Sequence, residues 1–382
     1  MFNKIIELEN FSLKSKNKKI AKILLSLTNK HKSDQLLKSL TPNYKYSFKK
    51  KILRKFKKEK SFKIIGMGGS ILGAKAIYDF LKCKKKFYFI DNLQNNPRSF
   101  EKKTTTNIII SKSGNTLETI SNINIYLKKN DKNIFITEKK NNYLFNLANK
   151  LKSEIIEHNN FIGGRYSVLS EVGMVPATLM GFNELKFKQF NNLIKNKIFI
   201  KKLIKNVQDL IILSNKKQNS VILNYDECSD SFFKWYQQLV AESLGKKSNG
   251  IFPIISTMPK DNHSLMQYFL DGPKKNFYTF FSINEKKSIK LNNKNLLLNQ
   301  KKLYNKNLNE IINAQKIATE KVFLKKKIPF RSFTINQRSE KTLGALFSFF
   351  ILETILLGRA LKVNPFDQPA VELIKSETKK LF

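Results

Sequence analysis

The sequence predicts an α/β fold made of two doubly wound, three-layer domains, each built on a parallel sheet. Short apolar segments alternate with longer helical patterns, and this alternation occurs twice along the 382 residues. Such alternation favours parallel strands that are covered by helices on both faces. Loops rich in glycine and hydroxyl residues follow several apolar segments, which is where open α/β sheets bind their ligands. We expect substantial cores, because 41% of the residues are hydrophobic.

The first series of elements predicts a domain over residues 46–185. β-branched and aromatic residues are concentrated in four short segments, which is typical of buried strands. These predicted strands are 63–66, 86–90, 107–111 and 133–137, and the predicted helices run from 70 to 80, 116 to 127 and 142 to 151. The preceding residues 1–45 are rich in Lys and Leu and predict a helical leader.

The second series predicts a domain over residues 186–382, with the join near 182–205. Its predicted strands are 220–225, 251–256, 277–283 and 330–335, and its predicted helices are 232–244, one from 261, 308–322 and one from 342. The longest apolar stretch, 343–357, is shorter than a membrane span and is interrupted by Glu353. It therefore predicts a buried helix, and no membrane partner is expected.

The formal net charge is +42, from 71 Lys and Arg against 29 Asp and Glu. A nucleic-acid partner is the obvious suggestion. However, the basic residues are spread in short clusters, and Lys, Asn, Ile and Phe are all abundant, which indicates AT-rich codons. We therefore expect no specific nucleic-acid binding. A positive surface also attracts small anionic substrates at low salt.

Cysteine usage and the start of the chain predict a reduced, cytoplasmic protein. Cys83 and Cys228 are too few for a disulfide framework or a zinc site. Residues 1–11 lack the apolar core and the cleavage site of a signal peptide. No metal site is expected.

The segment NIIISKSGNTLET, residues 107–119, predicts an anion site. A strand that ends in hydroxyl residues at the start of a helix presents free backbone N–H groups to a ligand. Ser111, Ser113 and Thr116 supply hydroxyls, Lys112 adds a positive charge, and Thr116 or Asn115 can cap the helix. From this segment alone, an ordinary strand–turn–helix connection is equally compatible with the pattern.

Two glycine-rich clusters supply further candidates, and the first of them directly follows a predicted strand. GMGGS at 66–70 lacks the G-x-G-x-x-G spacing of a dinucleotide loop, but Gly69 allows close approach of a ligand and Ser70 can hold a phosphate. A helix-capping Ser70 is the competing interpretation. GGRYS at 163–167 places Arg165 beside exposed backbone, where a planar cation can stabilise developing negative charge. An arginine paired at a turn is the alternative.

Three clusters in the second half carry further candidates. Glu242 follows the apolar run of a predicted helix, where a carboxylate can act as a general base, although a solvated helix glutamate is the usual case. His263 lies just after a predicted strand, where catalytic side chains collect, although a helix-capping role for its neighbours also fits. FDQPAVELIK at 366–375 ends in Lys375, which could equally be a solvated lysine.

Taken together and in this order, these motifs resemble the glucose-6-phosphate isomerase family, which is built from two sugar-isomerase domains. The resemblance covers about 63–375. GGRYS at 163–167 and FDQ-x-x-VE-x-x-K at 366–375 are specific to the family, and ES-x-GK at 242–246 and NHS at 262–264 also match. The resemblance implies interconversion of glucose 6-phosphate and fructose 6-phosphate through ring opening and a cis-enediol.

The resemblance also implies roles for individual residues. Glu242 matches the base that moves the proton between C2 and C1, and Arg165 matches the arginine that stabilises the enediolate. His263 matches a ring-opening histidine contributed by a neighbouring subunit, so a homodimer is expected, and Lys375 matches a lysine beside the ring oxygen. The implied substrate and phosphate contacts are Gly69, Ser70, Ser111, Lys112, Ser113, Thr116 and Gln368. No cofactor is implied.

Two other functions remain compatible with the sequence. Related two-domain isomerases also act on mannose 6-phosphate. A phosphosugar-binding or nucleic-acid-binding protein without catalysis would suit the anion loop and the charge, but it would need neither Glu242 nor His263.

Overall fold

A computed structural model of the chain describes residues 2, 4–14, 18–30, 34–96, 105–128, 130–285 and 287–381. Within these ranges the strands form two five-stranded sheets. The strands are β1 Ile6–Glu9, β2 Ser61–Gly66, β3 Lys86–Ile90, β4 Thr106–Ile110, β5 Lys132–Thr137, β6 Glu154–Glu157, β7 Asn219–Asn224, β8 Phe252–Thr257, β9 Asn276–Ile283 and β10 Phe330–Ile335.

Helices flank both sheets. In chain order they are α1 Lys18–Lys30, α2 Gln35–Lys38, α3 Lys50–Arg54, α4 Leu72–Phe80, α5 Leu117–Tyr126, α6 Tyr143–Lys150, α7 Glu171–Met180, α8 Phe190–Ile194, α9 Lys197–Ser214, α10 Asp230–Leu244, α11 Met266–Asp271, α12 Lys294–Leu297, α13 Leu308–Lys325, α14 Glu340–Ala360 and α15 Pro369–Lys379. Short 3₁₀ turns that matter for the site are Gly68–Ser70, Gly164–Leu169 and Lys260–His263.

The first sheet has the order β3-β2-β4-β5-β6 and is parallel throughout. Its central register aligns Ile64 with Ile108 and Ile108 with Ile134, all of them fully buried. Continuous apolar strands of this kind are expected where helices cover both faces. The predicted α/β class with parallel, doubly wound sheets is therefore confirmed.

The second sheet has the order β1-β10-β9-β7-β8, and only its edge pair, β1 with β10, is antiparallel. The prediction of a wholly helical leader is wrong at this point, because β1 lies within residues 1–45. Ile6 and Leu8 are buried and Glu7 and Glu9 are exposed, which is the period of two of a half-buried strand. Residues 1, 3, 15–17 and 31–33 of the predicted leader lie outside the described residues.

Some elements were not predicted. β6 carries only two isoleucines between carboxylates, and α7 contains a proline, so both have a weak local signal. The first half of α9 lies within the predicted join at 182–205, and the helix is amphipathic. The domain boundaries remain a prediction.

The predicted buried helix is confirmed in α14. By length and composition alone it could cross a bilayer, but 89% of its apolar window is buried inside the protein. α10 packs against α14 on one side and against α4 on the other. Trp235 of α10, for example, makes an edge contact with Phe347 of α14 at 4.7 Å between ring centroids. α10 therefore joins the layers of the two sheets, and it carries Glu242.

Candidate active site

The 3₁₀ turn Gly164–Leu169 follows β6 and carries Arg165, one of the buried residues among the predicted site residues. Arg165 is only 2% exposed, and all five N–H bonds of its guanidinium meet acceptors. The acceptors are Ser243 Oγ (2.8 Å), Glu242 Oε2 (3.0 Å), Gln368 Oε1 (2.7 Å) and the carbonyl oxygens of Pro365 (2.7 Å) and Asp367 (3.0 Å). The structure thus brings Arg165, Glu242 and Gln368 together, as the sequence predicts.

The backbone beneath Arg165 explains the local glycines. A Cβ on Gly69 would lie 2.2 Å from the carbonyl carbon of Gly164, so the two loops meet backbone to backbone. Ser167 Oγ donates to the carbonyl of Gly164 at 2.7 Å and also lies 3.3 Å from the carbonyl oxygen of Gly69. Trp235 Nε1 donates to the carbonyl oxygen of Arg165, at 3.1 Å. The loop after β2 therefore supports the arginine directly.

Glu242 lies in the last turn of α10 with its side chain 29% exposed. One carboxylate oxygen accepts from Arg165, and the other accepts from Gln238 Nε2 at 2.7 Å. Both carboxylate oxygens are therefore held by polar donors, although Glu242 follows an apolar run of the helix. The reason is the tertiary approach of Arg165, 77 residues away in sequence.

Three residues that hold this centre were missed. Gln238 precedes Glu242 by one helical turn, and an i, i+4 pair on one helix face is a signal that could have found it. Ser243 and Tyr166 adjoin predicted residues but point into the protein. Tyr166 Oη donates to the carbonyl of Pro365 and lies 2.9 Å from Ser243 Oγ, and burial raises the pKa of its hydroxyl.

The loop after β4 is closed by its own hydroxyl groups. Ser111 is buried, its Oγ lies 2.8 Å from Thr116 Oγ1, and it accepts the backbone N–H of Gly114 at 3.2 Å. Thr116 occupies the N-cap position of α5, but its side chain makes no capping bond, because the hydroxyl is turned to Ser111 instead. Ser113 is exposed and accepts the N–H of Asn115 at 3.3 Å.

A missed asparagine supports the same loop. Gly114 has φ +69°, and a Cβ there would lie 1.8 Å from Asn142 Oδ1, so only glycine fits. Asn142 in turn caps α6 by accepting from the N–H of Phe145. Because the loop is pinned to the next helix, its hydroxyls keep a defined position.

Lys112 and Ser70 are less directly placed. The Lys112 ammonium donates to the carbonyl of Asn160 at 2.5 Å, and burial lowers its pKa. Ser70 ends the turn Gly68–Ser70, half-buried, and its Cβ would lie 3.2 Å from one built on Gly66. The structure places both at the carboxyl edge of the first sheet.

His263 and Lys375 are not brought to Glu242. His263 ends the turn after β8 and is exposed, and its imidazole makes no hydrogen bond with the described part of the chain. Lys375 lies on α15, where no described residue is buried, and its ammonium pairs with Glu372 at 2.7 Å. Each side chain faces solvent in the single chain.

The chain is similar to known proteins over most of its length. The family model described as phosphoglucose isomerase matches residues 37–257. The glucose-6-phosphate isomerase of Methanocaldococcus jannaschii is 34% identical, with 81% of each chain covered. That of Mycoplasmopsis pulmonis is 32% identical, with 85% of this chain and 84% of the relative covered.

Solved structures share the fold. A hypothetical protein from Thermus thermophilus superimposes with a TM-score of 0.81 at 22% identity, covering 95% of this chain and 96% of that chain. A glucose-6-phosphate isomerase from Chlamydia trachomatis superimposes with a TM-score of 0.69 at 19% identity, covering 93% and 74%. The resemblance predicted from the motifs is thereby confirmed, and the chain belongs to the phosphoglucose isomerase family.

Proposed function

We propose that this chain interconverts glucose 6-phosphate and fructose 6-phosphate, as a cytoplasmic enzyme of glycolysis and gluconeogenesis. The observation that carries the proposal is the pairing of Arg165 and Glu242, whose Nη1 and Oε2 atoms lie 3.0 Å apart. A carboxylate that reaches solvent beside a buried guanidinium combines a proton acceptor with a fixed positive charge.

Glu242 acts as the base. In the open-chain sugar the carbonyl acidifies the proton on C2, and the carboxylate removes this proton and returns it to C1. One group can serve both steps because both occur on the same face of a cis-enediol. Gln238 and Arg165 each hold one carboxylate oxygen, which fixes the direction of the lone pairs toward the substrate.

Arg165 stabilises the enediolate. Ser243 and the carbonyls of Pro365 and Asp367 hold three of its N–H bonds, while its Nη1 faces Glu242 and Gln368. A developing oxyanion beside Nη1 would meet a charge that is already oriented, and preorganised charge of this kind lowers reaction barriers. Gln368 contacts the same substrate.

The loop after β4 binds the 6-phosphate. Ser111, Ser113 and Thr116 offer hydroxyl groups next to the N-terminus of α5, and the helix dipole adds positive potential there. Lys112, Gly69 and Ser70 lie at the same sheet edge. Anchoring the phosphate here would leave C1 and C2 against Glu242.

His263 and Lys375 act in ring opening within a homodimer. Both are exposed in the single chain, which fits a site that is completed by a second copy. His263 would then come from the neighbouring subunit, and α15 would bring Lys375 beside the ring oxygen once its exposed face is covered.

The test is a coupled isomerase assay on the purified chain, combined with exchange of the C2 proton in deuterated water. Glu242→Gln should lower turnover about 10²–10⁴-fold, abolish C2 exchange and leave sugar-phosphate binding nearly intact. Mannose 6-phosphate, assayed in parallel, reports whether the C2 epimer is also turned over.

Glu227→Gln is the matched control. Glu227 is an exposed carboxylate just before α10 begins, at the end of that helix away from Glu242, and this substitution should leave turnover unchanged. Retained C2 exchange in Glu242→Gln, or a loss of only a few-fold, would remove Glu242 as the base.

A further inference from the structure

The turn 364–368 connects α14 to α15 and is held from two sides. On the inner side, Arg165 donates to the carbonyls of Pro365 and Asp367 and to the side chain of Gln368. On the outer side, the ammonium of Lys246 donates to the carbonyl of Asn364, to the carbonyl of Asp367 at 2.7 Å and to the Asp367 carboxylate at 2.5 Å.

The carbonyl of Asp367 takes part in both sets of hydrogen bonds. It accepts from Arg165 Nη2 at 3.0 Å and from Lys246 Nζ at 2.7 Å, so both cations meet on one atom. The Asp367 carboxylate also accepts from Asn364 Nδ2 at 2.9 Å, which closes the turn on itself. Hydrogen bonds from Lys246 lower the pKa of this carboxyl group, so it is ionised at neutral pH.

Lys246 is itself firmly placed. It lies two residues after the end of α10, its side chain is only 13% exposed, and its backbone exchanges hydrogen bonds with Asn249. A Cβ on Gly245 would lie 2.7 Å from the carbonyl of Ala241, so the chain turns sharply between Glu242 and Lys246. The catalytic helix and the lysine therefore form one unit.

The direction of α15 depends on this turn. Among its described residues none is buried, and Leu373 and Ile374 are 70% and 71% exposed. Its ion pairs, Lys375 with Glu372 and Lys380 with Glu377, stay within or just beyond the helix itself. Because no described residue of α15 is buried, we infer that the geometry at 364–368 sets where Lys375 points.

We propose that Lys246 is a positioning residue for the isomerase reaction. Its ammonium fixes the turn 364–368 to α10, which keeps Gln368 on Arg165 and aims the helix that carries Lys375. This inference rests on the proposed function for its catalytic consequence, whereas the tethering of the turn is independent of any activity.

The experiment compares Lys246→Met, Lys246→Arg and the neighbouring Lys247→Met in the full-length chain. Lys247 is an exposed lysine whose ammonium makes no hydrogen bond with described residues, so its replacement removes the same charge without the contacts. The readouts are kcat and KM for glucose 6-phosphate, and hydrogen–deuterium exchange of peptides covering 364–379.

Lys246→Met should raise amide exchange over 364–379 and lower kcat about 10- to 100-fold, because small misplacements of catalytic groups have effects of this size. KM should change less. Lys246→Arg keeps the charge and the donors and should recover most of the kcat, and Lys247→Met should match the wild type in both readouts.

Three results would overturn the inference: unchanged exchange in Lys246→Met, unchanged kcat in an active enzyme, or an equal loss in Lys247→Met. An inactive wild-type chain would instead contradict the proposed function. The exchange data would still decide whether Lys246 holds the turn.

Discussion

Arg165 and Lys375 are predicted to belong to one site, yet they differ in burial and in the number of their hydrogen-bond partners. Arg165 is 2% exposed and has an acceptor for every N–H bond of its guanidinium. The side chain of Lys375 is 60% exposed and pairs only with Glu372, one turn away on the same helix. Within the described residues, the Arg165 cation is buried with its partners and the Lys375 cation is exposed to solvent.

This difference separates the site residues that a single chain positions from those that require a second subunit. A buried guanidinium is stable only with its acceptors in place, so the elements around Arg165 have to fold together. An exposed lysine or histidine has no such requirement and can acquire its contacts when a second subunit binds. His263 belongs with Lys375 in this respect, whereas Glu242 and Gln368 belong with Arg165.

The largest effect expected from this division is subunit complementation. His263→Ala and Glu242→Gln should each be nearly inactive alone. If His263 acts in the site of its neighbour, mixing the two after dissociation places both lesions in one site of each mixed dimer and leaves the other intact. Activity should then recover to about a quarter of the wild-type value.

The measurement is the coupled assay before and after mixing, with a sizing column to follow dimer exchange. Glu242→Gln mixed with Arg165→Lys is the matched control. These two lesions disable one site each in a mixed dimer, so no intact site forms and no activity should recover. No recovery in the first mixture, despite exchange, would place His263 in its own subunit's site.

An intermediate effect is expected in the loop after β4, where the hydroxyls of Ser111 and Thr116 bond each other and Ser113 is exposed. Thr116→Val keeps the shape and removes the hydroxyl that meets Ser111 at 2.8 Å. One lost hydrogen bond of about 1 kcal/mol should raise KM roughly 5- to 10-fold. The value of kcat should change little, because the proposed role of the loop is to bind the phosphate and not to move protons.

Thr178→Val is the control, since the Thr178 hydroxyl only donates to Met174 within α7 at 2.8 Å. Steady-state kinetics on both variants give KM and kcat separately. A fall in kcat with unchanged KM for Thr116→Val would mean that the loop has another role.

The smallest effect concerns a second buried cation. Lys188 donates to the carbonyls of Ser39 and Leu169 and lies 4.8 and 4.7 Å from the ring centroids of Tyr44 and Tyr46. Burial lowers its pKa to about 7, although Glu171 and Glu184 oppose the shift. The charged form of Lys188 is therefore less favourable when buried than that of Arg165, because the planar guanidinium of Arg165 meets more hydrogen-bond acceptors.

The sign of the pH dependence follows from proton counts. The unfolded lysine keeps its proton to about pH 10.4 and the folded one loses it near 7, so above pH 7 the unfolded state binds more protons. The free energy of unfolding should therefore rise with pH, by about 1 kcal/mol from pH 7 to 8 from this group.

Denaturant titrations at pH 7 and 8 check this expectation. Lys188→Met should abolish this rise in the free energy of unfolding between pH 7 and 8. Lys201→Met, which changes an exposed lysine of α9, should retain it. An identical pH dependence in wild type and Lys188→Met would mean that Lys188 stays charged when buried.

The strands, the buried helix α14 and the motif residues could be read from the sequence because each depends on short-range pattern. Period, composition and loop residues act over a few positions, and they point to Arg165, Glu242 and Gln368 through separate motifs. Gln238 could have been predicted in the same way, from its i, i+4 spacing to Glu242. β6 was missed because its pattern is weak, and β1 was missed because its alternation of buried and exposed residues covers only four positions.

Contacts between distant segments were decided by the tertiary structure alone. β1 pairs with β10 across more than 300 residues, and Lys246 meets Asp367 across 121. The direction of a long side chain, such as that of Lys112 toward Asn160, depends on which acceptor folding brings near it. The sequence by itself therefore determined which chemical groups this protein carries and on which elements, because those follow local rules. Which groups touch, and which remain exposed, depended on packing, because burying a charge is favourable only where distant parts of the chain supply its partners.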